Sequence, residues 1–280
     1  MTIAPKIETS PDYASIKTKQ NAAWASGDYS LIGMTLQITG ENLAEAMDIR
    51  SGSQVLDVAA GNGNFTLSAA RRWADVTSTD YVQSLLDRGK RRAEADGLDV
   101  TYQIVDAENL PFENGSFDAV GSTFGVMFSP NQRKSASEML RVCKKGGKIG
   151  LANWTPEGFI GAVFKVIGQY VPPPVGLNSP ALWGTRSHLE ELFGEGTEKI
   201  EIETRDFDFR YRSIDHWIDH WMVIFRTYYG PVHKAFAAID ASKQELLTQD
   251  LMEVINRFNV ADDGSLVIPS EYLEVVITRS

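Results

Sequence analysis

The chain has 280 residues, 43% of them hydrophobic and 23% charged, which is the balance of a globular protein and excludes an intrinsically disordered one. Its formal net charge is −10, so it lacks the basic surplus that displaces counterions from a duplex or an RNA, and a nucleic-acid substrate is not expected. The single cysteine, Cys143, excludes an intrachain disulfide and a cysteine-based zinc site.

The first eleven residues, Met1 to Pro11, are polar and do not read as a signal peptide, and no apolar stretch reaches the length of a membrane span. A cytoplasmic setting is expected. Asp12 to Ser26 places Tyr13, Ile16, Ala23 and Trp24 on a polar background and predicts a helix ended near Gly27. A second helix is predicted from Leu31 to Met47. Gln54 to Ala60 is a short apolar run closed by Gly61-Asn62-Gly63, the pattern of a buried parallel strand, and Phe65 to Trp73 follows as a helix. The alternation continues with a strand at Val76 to Thr79, a helix at Val82 to Ala95, and strands at Val100 to Val105 and Phe117 to Ser122. A helix at Gln132 to Val142 and a strand at Lys148 to Trp154 follow. The basic run from Arg88 to Arg92 falls on the outer face of a predicted helix. Strands alternating with helices predict right-handed βαβ units on a mostly parallel sheet with helices on both faces, a Rossmann-like α/β fold.

Beyond Trp154 the pattern is less regular. Phe159 to Tyr170 is apolar and is broken by Pro172-Pro173-Pro174. A short helix is predicted at His188 to Phe193, a strand at Lys199 to Tyr211, helices at Ile214 to Ile239 and Gln244 to Phe258, and a closing strand at Tyr272 to Thr278 that completes an antiparallel pair. The expected organisation is an N-terminal helical lid over residues 1–50, a core over 51–155, and the end of the sheet with substrate-pocket insertions over 156–280.

The segment Val55-Leu56-Asp57-Val58-Ala59-Ala60-Gly61-Asn62-Gly63 sets a tight turn at the carboxyl end of the first strand, where open α/β sheets bind ligands. Its glycines let backbone approach a ligand that a β-carbon would exclude. Nicotinamide enzymes use G-x-G-x-x-G there, but Thr66 occupies the third glycine position. Asp80, at the end of the second strand, can accept both ribose hydroxyls of a nucleoside, and Asp106, at the end of the third, can accept an adenine amine. Either aspartate can instead serve only as a helix cap.

Val55 to Gly63, Asp80, and the run Asp106-Ala107-Glu108-Asn109-Leu110-Pro111-Phe112-Glu113-Asn114-Gly115-Ser116-Phe117-Asp118-Ala119-Val120 resemble the class I S-adenosylmethionine-dependent methyltransferases, in particular the small-molecule group that includes the ubiquinone/menaquinone C-methyltransferases. Arg141-Val142 followed by Gly146-Gly147 is similar to that family's Arg-Val-Leu-x-Pro-Gly-Gly segment. The resemblance covers about residues 50 to 154. It implies S-adenosylmethionine as cofactor, with Asp57 and the backbone of Ala59, Ala60, Gly61, Asn62 and Gly63 facing its methionine portion. It also implies that Asp80 holds the ribose with Tyr81 beside the adenine, that Asp106, Ala107 and Glu108 flank the adenine, and that Ser122 and Thr123 lie close to the sulfonium. One departure is Ala59, where the family usually has glycine; a slightly displaced cofactor is the expected consequence.

Methyl transfer is an in-line displacement at a sulfonium carbon, so alignment and exclusion of water are the protein's main tasks. The segment after the fourth strand reads Ser122-Thr123-Phe124-Gly125 and lacks the Asn/Asp-Pro-Pro-Tyr/Phe of nucleobase amino-methylases. The substrate is expected to be a small, apolar or aromatic molecule held by Phe124, Met127, Phe128, Trp154, Tyr170 and Trp183, with Phe159 and Phe164 as further candidates. Trp24 and Tyr29 are placed to close over the cofactor. His216 and His220, spaced i, i+4 on a predicted helix, are candidate bases; without a Glu in the H-E-x-x-H position they do not make a zinc motif, and no metal is expected. His188 is assigned to a helix start. Two alternatives share the same turn: a NAD(P)-dependent oxidoreductase, and a non-catalytic cofactor-binding module. Whether the chain is a monomer or a homodimer is left open.

Overall fold

The computed structural model describes residues 11–26, 28–212 and 224–280. Its centre is a seven-stranded sheet: β1 Gln54–Val58, β2 Asp75–Asp80, β3 Thr101–Ile104, β4 Phe117–Thr123, β5 Cys143–Trp154, β6 Thr197–Tyr211 and β7 Leu266–Arg279. The strand order is β3-β2-β1-β4-β5-β7-β6. Strands β1 to β5 run parallel, and β7 lies antiparallel between β5 and β6. The sheet is thus Rossmann-like with a closing antiparallel pair, as the alternation predicts. Order reverses beside β1, so the carboxyl ends of β1, β2 and β4 open onto one crevice.

The helices are α1 Tyr13–Ala25, α2 Ser30–Gly33, α3 Gln37–Ala46, α4 Asn64–Ala70, α5 Gln83–Ala95, α6 Gln132–Val142, α7 Phe159–Tyr170, α8 Arg186–Phe193, α9 Gly230–Ala238 and α10 Ala241–Phe258. The predicted helix from Leu31 to Met47 is divided by a 3₁₀ turn at Met34–Leu36. Two close approaches explain that entry. A β-carbon on Gly33 would lie 2.3 Å from Asn62 Oδ1, and one on Gly40 would lie 2.5 Å from the Asn64 carbonyl oxygen. Both glycines therefore let these N-terminal turns rest directly on the loop after β1. The helix predicted at Phe65 to Trp73 ends at Ala70 because the chain turns through Trp73 at φ 61° to reach β2.

Two apolar layers flank the sheet. Leu43, Met47 and Phe65 pack with Val55 and Val276 on one side, and the larger layer holds Met139, Val142, Ile149 and Leu151 with residues of α7, α9 and α10. Capping sets several helix starts. Asp12 accepts from Ser15 N–H at 3.1 Å, Asn131 from Lys134 N–H at 3.1 Å, and Asp240 from Lys243 N–H at 3.0 Å. Strands β6 and β7 pair from Lys199↔Thr278 to Tyr211↔Leu266. Both therefore run several residues past the parallel sheet and carry α7 and α10 against their overhang. The prediction of a strand at Tyr272 to Thr278 caught only the half of β7 that also pairs with β5. The helix predicted at Ile214 to Ile239 lies partly outside the described residues; within them the chain is helical over 224–228 and again in α9. Among the described residues no helix is long and apolar enough to cross a membrane.

Candidate active site

The loop from β1 to α4 makes three left-handed residues within five: Ala59 at φ 52°, Gly61 at φ 57° and Gly63 at φ 85°. Ala59 carries its methyl group in a conformation that costs an L-residue about 1 kcal/mol. The geometry is imposed by neighbours. Ala60 N–H donates to Thr79 O at 2.8 Å, Gly63 N–H donates to Ala60 O at 2.9 Å, and Gly61 N–H donates to Asp80 Oδ2 at 2.9 Å. The opposite carboxylate oxygen of Asp80 accepts from Val82 N–H at 2.9 Å. Asp80 thus ties the glycine turn to the end of β2. Burial pushes its carboxyl up to about 6 despite these hydrogen bonds.

Val105 N–H donates to Asp80 O at 3.0 Å, which sets the ends of β2 and β3 side by side. Asp106 then turns one carboxylate oxygen to Glu108 N–H at 2.9 Å and the other to Lys17 Nζ at 2.6 Å. Glu108 is buried; it also receives Lys17 at 3.0 Å and the Asn131 N–H at 2.7 Å. Lys17, Gln20 and Trp24 of α1 lie over this edge.

These groups line one cavity of about 870 Å³, its open mouth included. One end is polar: Ala59, Ala60, Gly61, Asn62, Asp80, Tyr81, Asp106 and Ala107. The other is aromatic: Trp24, Tyr29, Phe124 and Phe128, with Thr123 between. Phe124 stands at φ 58° after β4 and stacks on Trp154 with ring centroids 4.0 Å apart and planes 9° apart. Trp24 meets Tyr29 and Phe128 edge to face at 5.4 and 5.1 Å. Burial holds the Tyr29 hydroxyl far above the ordinary tyrosine pKa, so it stays protonated. Two polar atoms of lining residues are buried without partners, Asn62 Nδ2 and Gln20 Oε1. An adenosine with a zwitterionic methionine tail fits this donor set, which offers carboxylate acceptors for hydroxyls and an amine, backbone bared at glycine, and an orphaned amide donor.

Not every expected residue faces the cavity. Asp57 lies behind the turn. Its Oδ2 accepts both the N–H and the hydroxyl of Thr66, at 2.9 and 2.6 Å, because β1 alternation aims it at the start of α4. Its Oδ1 has no partner, and burial pushes the carboxyl up to about 7. Ser122 is spent on the Val126 N–H at 3.0 Å. Gly63 forms the helix junction, and Glu108 braces Asp106 from below. Among the aromatic residues, Trp154 supports Phe124 from behind, Met127 and Trp183 are fully buried core, and Tyr170 turns away to Asp250 at 2.5 Å. Phe164 backs Phe128 edge to face at 5.9 Å, and Phe159 packs against Phe209. His188 does start α8; one ring nitrogen meets Gln132 Oε1 at 2.7 Å and the other Glu191. His216 and His220 lie outside the described residues. Among the described residues no group of three or more His, Cys, Asp or Glu is placed to hold a metal ion.

Lys17, Gln20, Val105 and Pro130 were not legible as lining residues. Lys17 sits on a helix with little apolar signal, and its partners are about ninety positions away in sequence.

With this geometry in place, the comparisons become decisive. Residues 55–147 match the family profile described as a methyltransferase domain. The demethylmenaquinone methyltransferase of Deinococcus radiodurans is 34% identical over 179 residues, which is 61% of this chain and 74% of that protein. The chain belongs to the class I S-adenosylmethionine-dependent methyltransferases. An uncharacterized protein of Mycobacterium tuberculosis is more similar along its length, 39% identical over 236 residues, 83% of this chain and 85% of the relative. Among solved structures, the YcgJ protein of Bacillus subtilis shares the fold with a TM-score of 0.61 at 19% identity, over 87% of this chain and 99% of that one. Phosphoethanolamine N-methyltransferase 2 of Haemonchus contortus, solved with S-adenosyl-L-methionine, matches with a TM-score of 0.52 at 18% identity, over 87% of this chain and 53% of that one. These matches give hydride transfer from a nicotinamide no support.

Proposed function

We propose that this protein transfers a methyl group from S-adenosylmethionine to a small apolar or aromatic molecule. The observation that carries the reading is the continuity of one cavity, acidic and glycine-bared at one end and aromatic at the other. In this reading Asp80 accepts the ribose hydroxyls, and Asp106 and Ala107 hold the adenine edge with Tyr81 beside it. The Ala59 to Gly61 backbone and Asn62 hold the methionine portion. The bound cofactor supplies an electrophilic methyl group on a sulfonium.

The chain's own groups then have two tasks. Trp24, Tyr29, Phe124 and Phe128 form an apolar wall that excludes water and fixes the plane of an acceptor. Phe124 is itself held by the Trp154 stack, so the wall next to Thr123 is rigid. Near-attack alignment of this kind contributes several kcal/mol to a displacement reaction. Because Tyr29 keeps its proton, its hydroxyl is a donor in the aromatic half and not the base.

The test is transfer of label from methyl-tritiated S-adenosylmethionine to a panel of aromatic and aliphatic small molecules. Label is expected in at least one aromatic acceptor, and its loss is expected in Asp80→Ala. A protein that binds the cofactor yet labels nothing across a broad panel would refute the acceptor half of the proposal, and labelling confined to charged aliphatic acceptors would refute its chemistry.

A further inference from the structure

Helix α1 is held mainly by polar ties along one face. Ala23 is its single buried residue. Its attachment comes instead from one face, at Lys17, Gln20, Asn21 and Trp24, which are spaced i, i+3, i+4 and i+7. Gln20 Nε2 donates to Phe128 O at 3.2 Å, and Asn21 Nδ2 donates to Tyr81 O at 2.6 Å. Lys17 Nζ bridges Asp106 and Glu108 at 2.6 and 3.0 Å. Three of these ties therefore end on the loops that follow β2, β3 and β4.

The two ends of the helix differ. Near its carboxyl end Trp24 is set among the rings of Tyr29, Phe128 and Tyr229. Lys17 lies seven positions earlier, about 10 Å along the axis. There the Lys17 ammonium spans two carboxylates, one of them on a buried glutamate. Burial disfavours the charged ammonium, but the hydrogen bonds and charges of Asp106 and Glu108 outweigh that and raise its pKa. A helix anchored by rings at one end and by ions at the other opens at the ionic end first, because a locally weak element opens without global unfolding.

We infer that Lys17 is a positioning residue of the cofactor site: by bridging Asp106 and Glu108 it latches α1 across the adenosine end of the cavity and sets how fast the cofactor enters and leaves. The inference rests on the cofactor reading given above. Both Asp106 oxygens keep a free lone pair when Lys17 is bound, so latch and adenine share the carboxylate. A latch that closes with or without a ligand slows entry and exit by one common factor and leaves affinity unchanged.

The experiment is stopped-flow binding and displacement of S-adenosylhomocysteine with wild type, Lys17→Met and Lys17→Arg, each checked for folding by circular dichroism. In Lys17→Met both rate constants rise about fivefold while Kd stays within about twofold, and Lys17→Arg restores slow exchange. Wild-type exchange also accelerates from about 50 to about 500 mM salt, whereas Lys17→Met exchange does not. Unchanged rates in Lys17→Met overturn the latch. So does a weaker Kd with an unaltered association rate, which would make Lys17 a direct cofactor ligand. Wild type that binds no S-adenosylhomocysteine at all overturns the cofactor reading itself, and the latch with it.

Discussion

Asp57 is a buried carboxylate with one oxygen satisfied by Thr66 and the other facing no partner. Its folded pKa of about 7 lies above its ordinary value of 3.8, so the folded state holds the proton across that window. Stability therefore falls as pH rises from about 4 to about 7, because the unfolded chain releases its proton first. Asp57→Asn keeps an oxygen for Thr66 and removes the buried charge. The melting temperature of Asp57→Asn relative to wild type is expected to increase from pH 5 to about 7 and then level off, by calorimetry; a difference that does not vary with pH contradicts the assignment. Asp80 obeys the same sign with a folded value of about 6, but it faces the cavity. Affinity for S-adenosylhomocysteine is expected to strengthen as pH rises through about 6, and Asp80→Ala to weaken it by about 1–3 kcal/mol at pH 8, both read by titration calorimetry. Ala59 holds φ 52°, a conformation that favours glycine. Ala59→Gly should raise stability by roughly 0.5–1 kcal/mol in urea denaturation, since strain relieved outweighs the added unfolded-state entropy.

At the scale of elements, α1 and the loop after β4 do the positioning. Trp24→Ala removes the aromatic anchor of α1, but the sheet core does not depend on it. Hydrogen exchange in α1 is therefore expected to quicken at least tenfold while the global melting temperature moves by only a few degrees. Protection lost across β1 and β4 as well would show α1 to be part of the cooperative core. The loop after β4 is packed against the glycine turn: a β-carbon on Gly125 would lie 2.0 Å from the Ala59 carbonyl oxygen. Gly125→Ala must displace one of the two loops, and cofactor affinity is expected to fall at least tenfold.

Which elements were legible follows from where their order comes from. Strands β1, β2, β4 and β5 and helix α6 were legible because each carries a buried apolar run or face of its own. Asp80 and Asp106 were legible as strand-end acids. The division at Met34–Leu36 was not, since it arises from Gly33 and Gly40 meeting a loop about thirty residues away. Trp154 and Trp183 could not be told from pocket residues by type: an aromatic side chain suits a cavity wall and a core equally, and only the tertiary packing, sheet register for Trp154 and a buried 3₁₀ turn for Trp183, decides.

For the whole molecule, a charge of −10 and a cavity with an aromatic end support the proposed small apolar or aromatic acceptor over a nucleic acid. Single-stranded and duplex oligonucleotides are expected to show neither binding in a gel shift at moderate salt nor incorporation of label. The C-terminal half, which carries the overhanging β6–β7 pair and three of the packed helices, was the least legible. Its partners are strands more than fifty residues apart, and no local period encodes them. Among the described residues, those that line the cavity all lie between Lys17 and Pro130, and the C-terminal half reaches it only from behind, where Tyr229 packs on Trp24 and Tyr29. The most direct test of the whole is a crystal structure with S-adenosylhomocysteine bound. The expected result places its ribose on Asp80, its adenine beside Asp106 and Ala107, and its sulfur toward Thr123 and Phe124. A nucleoside bound elsewhere, or these two carboxylates turned away from it, would contradict the account.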